Sequence, residues 1–183
     1  MVWTAPKVFV DGATLTAEEL NIYARDNLLA TEAGIATTPG GYFLSRGNNV
    51  LQEKHFVEQT ISNQETIVGS SAYVHLSTIG PRITIDTDSN VLCFMSFAGS
   101  CDDTAYISYT QAAIEITGST SRPATFASVP AAWESHDNGV GQVSSINYFS
   151  GLTPGSNTFT MKYAGETGDN VSFSNRTLIV MPL

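Results

Sequence analysis

Thr158-Phe159-Thr160-Met161-Lys162-Tyr163 alternates without a break. Phe159, Met161 and Tyr163 take one side of an extended chain; Thr158, Thr160 and Lys162 take the other. A period of two marks a β-strand with one dry face and one wetter face. The pattern recurs in both directions. Ile83 and Ile85 alternate with Arg82, Thr84 and Asp86, and Ile114 and Ile116 flank Glu115. Strands are predicted at 56–61, 66–68, 73–79, 82–86, 91–97, 105–109, 112–117, 124–129, 143–149, 158–163, 171–173 and 178–181. Turn chemistry separates them: Gly80-Pro81, Asp88-Ser89-Asn90, Asp137-Asn138-Gly139, Pro154-Gly155 and the stretch from Gly165 to Asp169. Residues 117–130 read as a long loop between sheets. Many short strands with regular turns predict an antiparallel β-sandwich or jelly roll. No second strong helical pattern is present to build βαβ units.

Val91-Leu92-Cys93-Phe94-Met95-Ser96-Phe97 is apolar on both faces. One face can enter a sandwich core. The other needs a cover, and another subunit is the preferred one, because outer faces of small sandwiches are usually wet. Leu178-Ile179-Val180-Met181-Pro182-Leu183 is equally apolar. Such a strand is expected at the centre of its sheet or near a symmetry axis, since an exposed edge of that kind aggregates. Pro182 is expected to end ladder pairing.

The first 34 residues differ from this body. They read as an extended arm followed by one helix. Thr16 and Glu19 have capping-box spacing, and Leu15 and Leu20 stand where a hydrophobic staple would close over the cap. Glu18 and Glu19 put negative charge in the first turn, where the helix dipole favours it. Ala17, Leu20, Ala24 and Leu28 form one apolar stripe, and Gly34 is a stop. A lone helix of about 17 residues is marginal in water, so its stripe needs a partner. Arg25, Asp26 and Asn27 are either a solvated face or, for Arg25 and Asp26, a pair made across a subunit or host contact. The expected division is an anchoring arm and helix over 1–36 and a β-sandwich over 37–183.

Only 14% of the residues are charged, and the net charge is −9. Eight Lys and Arg make no basic track, which argues against nucleic acid or anionic membrane as partner. No apolar run is long enough for a membrane span, and no secretory pattern opens the chain, so synthesis in a cytoplasm is expected. Cys93 and Cys101 are read as two buried thiols in preference to a disulfide.

The start of the chain, Trp3, Pro6, Phe9, Gly12, Leu15, Thr16-Ala17, Leu20-Asn21 and Arg25-Asp26-Asn27-Leu28, resembles the opening of a broad group of tailed-bacteriophage virion proteins. These are described as tail fibres, minor tail proteins or head decoration proteins. Gly151-Leu152, Pro154-Gly155, Thr158-Phe159, Tyr163, Asn175-Arg176, Leu178, Val180 and Pro182-Leu183 also look like that group. The resemblance implies a particle-anchoring N-terminal segment and a projecting C-terminal β domain, commonly trimeric. It implies a virion location and a major capsid protein or tail and baseplate proteins as partners. The expected anchors are Trp3, Pro6, Phe9, Val10, Leu15, Leu20, Arg25 and Asp26.

Sites for chemistry are few. Asp86-Thr87-Asp88-Ser89-Asn90 begins like a calcium loop, but Val91 replaces the glycine and Phe97 the glutamate of an EF-hand. Asp102-Asp103 reads as an ordinary turn. Glu134, His136 and Asp137 lie close together without a G-x-S-x-G nucleophile motif. Trp133, His136 and Asp137 form a weak candidate for contact with a host glycan. Asn170-Val171-Ser172 and Asn175-Arg176-Thr177 match glycosylation sequons that carry no meaning without secretion. The expectation is a non-enzymatic, cofactor-free homotrimeric decoration or cement protein on the capsid exterior. A tail-fibre tip that binds glycan is the alternative.

Overall fold

The structure, a computed structural model, describes residues 8, 11–26, 38–47, 50–102, 108–125, 131–135 and 139–183, with backbone only at 24, 26 and 131–135. It falls into two compact units, Met1–His55 and Phe56–Leu183. The expected division lay at 36/37. The difference is a hairpin of β1 (Tyr42–Gly47) and β2 (Val50–Lys54), a two-stranded sheet that among the described residues pairs with no other strand and groups with the first unit.

In that first unit the helix start is as predicted. Helix α1 (Ala17–Leu20) is capped by Thr16, whose hydroxyl accepts from the Glu19 amide while the Glu19 carboxylate accepts from the Thr16 amide. The helix then widens into a π-helical turn, Asn21–Asp26. The rest of the predicted helix, 27–34, lies outside the described residues. Leu15 and Leu20, the proposed staple, are 50% and 53% exposed.

The second unit is a jelly roll. Its strands are β3 (Val57–Ile61), β4 (Glu65–Val68), β5 (Arg82–Thr87), β6 (Val91–Cys101), β7 (Ser108–Gly118), β8 (Ala131–Ser135), β9 (Val140–Phe149), β10 (Gly155–Gly165) and β11 (Asn170–Pro182). One sheet runs β3-β11-β6-β9, with β4 also on β11; the other runs β5-β10-β7-β8. The antiparallel pairs are nested: β3 and β4 with β11, β5 with β10, β6 with β9, and β7 with β8. A long ribbon rolled into two sheets gives this order.

The alternating residues meet between the sheets. Val91, Cys93, Met95 and Phe97 of β6, Ile114 and Ile116 of β7, Phe159, Met161 and Tyr163 of β10, and Phe173, Leu178 and Val180 of β11 are all buried. The Phe97 and Phe173 rings lie 5.5 Å apart, and those of Tyr163 and Phe173 lie 4.8 Å apart, both tilted. Tilted aromatic pairs contribute about 0.5–1.5 kcal/mol beyond area burial. Strand β11 is central, as its apolar sequence requires, and its last registered pair is Pro182 with Val91. Cys93 and Cys101 are both buried and unbridged. They lie on the same strand with seven residues between them, a separation of roughly 26 Å at strand rise, too far for a disulfide.

Some predicted strands change. The 73–79 segment makes only a single bridge, Val74 with Tyr163. Strand β5 occupies the β10 edge as far as Thr160, and the Pro81 carbonyl accepts from the Met161 amide, so little edge remains. Segments 105–109 and 112–117 belong to one strand from Ser108, with 105–107 outside the described residues. Segments 171–173 and 178–181 are also one strand, broken in register between Ser174 and Thr177, where Asn175 has φ 48°. At the predicted strand 124–129, Ala124 and Thr125 are irregular and the rest is outside the described residues. Hairpin β1–β2 and strand β8 lack clean alternation and were not predicted.

Candidate interaction surfaces

The five-stranded sheet has an apolar outer face. Residues directly opposed in an antiparallel ladder project to the same side. Leu92 stands between Tyr148 and Met181; Phe94 stands between Ile146 and Ile179; Ser96 stands between Ser144 and Thr177. Strand burial alternates, so these rows face away from the core. Ile146 is 63% and Tyr148 59% exposed, both on the edge strand β9. A depression of about 420 Å³ lies between the rows, lined by Phe94, Ser96, Ser144, Ile146, Thr177 and Ile179. The three rows carry no charge; Glu58, opposite Ile179 on β3, marks their border. Covering a large apolar side chain contributes about 1.5–3 kcal/mol, so five or six of them make a strong contact surface.

On the other sheet a cleft of about 720 Å³ opens between the 71–73 segment and β7. Tyr73 is brought there by the Val74–Tyr163 bridge, which lays its segment along β10. Its hydroxyl reaches past β10 and donates to Gln111 Oε1 of β7 at 3.1 Å. Tyr109 is two residues before Gln111 on the same strand and projects to the same side. Burial, with a smaller contribution from Tyr109, pushes the Tyr73 phenol up to about 12.

An ionic group lies in the core. Arg176 is fully buried. Its Nη2 donates to Glu65 Oε1 at 2.7 Å, and its guanidinium carbon lies 5.6 Å from the centre of the Tyr163 ring. Glu65 Oε2 accepts from the Thr78 amide at 2.8 Å. Burial pushes the Glu65 carboxyl up, but the Thr78 amide and Arg176 outweigh it and hold it below its ordinary range. Tyr163 donates its hydroxyl proton to the Gly80 carbonyl at 2.8 Å. This group pins the 63–65 and 78–80 segments to β11 and β10.

Of the expected anchors, Trp3, Pro6, Phe9 and Val10 lie outside the described residues. Leu15, Leu20 and Arg25 are exposed, and Asp26 ends the π-helical turn. Trp133 lies in β8 opposite Thr110, while His136 and Asp137 lie outside the described residues. Asp86-Thr87-Asp88-Ser89-Asn90 runs from the end of β5 into the turn before β6, and Thr87 Oγ1 accepts from Asn157 Nδ2 at 2.8 Å. Asp102 is tied to Asn170, accepting from both its amide and its side chain. The Tyr73–Tyr109–Gln111 cleft was not anticipated. The spacing of Tyr109 and Gln111 hints at a shared face, but only the fold brings Tyr73 to them.

No family model and no curated protein matches the chain. Solved structures similar to it include the infectious bursal disease virus VP2 subviral particle, at 11% identity and TM-score 0.47, over 76% of this chain and 37% of that one. The Gx strain of the same virus is similar at 10% identity and TM-score 0.47, over the same shares. The Eiger TNF of S. frugiperda is similar at 10% identity and TM-score 0.41, over 70% of this chain and 92% of that one. The chain thus spans 37% of the length of the viral chains it resembles.

Proposed function

We propose that this protein is a non-enzymatic structural component of a phage virion, a homotrimeric decoration or cement protein on the capsid exterior. The observation that carries self-association is the uncharged outer face of Leu92, Phe94, Ile146, Tyr148, Ile179 and Met181. A chain of net charge −9 repels its own copies except where such a neutral surface lets them approach. The virion assignment is supported by the resemblance of the opening segment to phage particle proteins. Leu15 and Leu20, both exposed, are available to a larger body, and the resemblance implies the same role for Trp3, Phe9 and Val10. Three copies gripping neighbouring capsomers gain by avidity, so modest anchors suffice.

Sedimentation of the purified chain tests the assembly. A trimer is expected at micromolar concentration, with Phe94→Ser/Ile146→Ser converting it to a folded monomer. A monomeric parent protein defeats this reading. Removal of residues 1–15 is expected to leave a folded trimer that no longer binds capsids; undiminished binding to capsids refutes the anchor.

A further inference from the structure

We infer that the Tyr73–Tyr109–Gln111 cleft is a binding site for a neutral saccharide. It lies on the β5-β10-β7-β8 sheet, whereas the face assigned to self-association is on the other sheet, so the two readings stand or fall separately.

The residue types fit that ligand class. Sugars present flat C–H faces with hydroxyls around the rim. Aromatic rings cover the faces, while amides and hydroxyls pair with the rim. The cleft holds two tyrosines, one amide and a serine, and Ala72 and Ala124 leave room between them. Its volume of about 720 Å³ exceeds what one hexose needs; binding sites for small molecules run from about 300 to 1,000 Å³.

The walls are already braced. The hydrogen bond from Tyr73 occupies Gln111 Oε1 and so fixes the amide plane. The two N–H bonds on Gln111 Nε2 are then the donors oriented for a sugar hydroxyl. Ala164, which pairs with Gln111 across the ladder, is 1% exposed, so the floor between the two strands is closed. Rigid aromatic walls lose little entropy on binding.

Charge selects the sugar. Among the described residues the lining contains no Asp, Glu, Lys, Arg or His, and Tyr73 stays a proton donor throughout the physiological range. A net charge of −9 repels sialylated, sulfated or phosphorylated glycans. The site therefore favours neutral hexose or N-acetylhexosamine units.

The test uses the full chain. Binding to maltotriose, cellotriose and tri-N-acetylchitotriose is measured by saturation-transfer NMR, alongside an array carrying neutral and anionic oligosaccharides. Neutral binders are expected, with Tyr109→Ala and Gln111→Ala each weakening them about tenfold or more. Tyr73→Phe keeps the ring but frees the amide, and a loss of about two- to tenfold is expected. Val140→Thr, an exposed change on the other sheet and outside the apolar rows, is expected to leave sugar binding unchanged. Each variant must retain the parent melting temperature; where Tyr109→Ala does not, Tyr73→Phe carries the test. No neutral binder across the array, binding of anionic sugars alone, or neutral binding indifferent to all three cleft variants overturns the site.

Discussion

The two faces of β6 are built from the same kinds of residue and have opposite fates. Val91, Cys93, Met95 and Phe97 point inward and are at most 2% exposed. Leu92 and Phe94 point outward and stay partly open beside Ile146 and Tyr148. Apolar character is therefore not what distinguishes core from surface in this strand. The inward residues meet a second sheet; among the described residues of the unit nothing closes over the outward ones. The inner face contributes its hydrophobicity to folding, and the outer face leaves it open.

The sharpest way to break that comparison is to truncate one aromatic on each side. Phe97→Ala should destabilise the protein by about 3–5 kcal/mol, because it leaves a cavity beside Phe173. Phe94→Ala should cost under about 1.5 kcal/mol in the separated chain, since a half-open site gives up less area. Urea unfolding at low protein concentration measures both. Equal losses would mean that the outer face is structural and would remove the basis for the assembly role proposed for it.

The inner face also contains a charge, and that makes a second test. Glu65→Gln leaves Arg176 buried without its counter-ion, and a loss of about 3 kcal/mol is expected. Glu65→Gln/Arg176→Met should recover much of it. The same pair sets an acid limit. The folded-state pKa of Glu65 is depressed from its ordinary value of 4.5. Its contribution is therefore complete above pH 4.5 and is lost as the pH falls through the folded-state value. Stability measured from pH 6 to pH 3 should drop in the parent and drop less steeply in Glu65→Gln. Identical slopes would show that Glu65 carries no linkage.

A smaller effect sharpens the contrast in packing. A Cβ on Gly99, on the inner face of β6, would collide with the Thr110 side chain and crowd Phe97. Gly99→Ala should therefore cost about 1–3 kcal/mol. Ala98→Val, one position away on the outward side, should change stability by no more than about 0.5 kcal/mol. A thermal melt of each variant decides it.

Much of this was legible beforehand because strands declare themselves locally. Alternation at Ile83, Ile114 and Phe159 fixed which side faces inward, and Thr16 with Glu19 fixed where the helix starts. The double-sided run from Val91 to Phe97 announced a second apolar surface. Hairpin β1–β2 and strand β8 were missed because their sequences lack a clean period of two. Segment 73–79 was misread because its residues suit a strand, but the edge they would join is already taken by β5.

The sequence by itself determined that the chain is a β-sandwich with its helix start at Thr16, since side-chain alternation and capping act over a few residues. Only the tertiary structure decided the nesting of strands, the burial of Arg176 against Tyr163 and the meeting of Tyr73 with Gln111. Those depend on contacts between residues far apart in the chain, and a local pattern carries no record of which distant strand will pair with which.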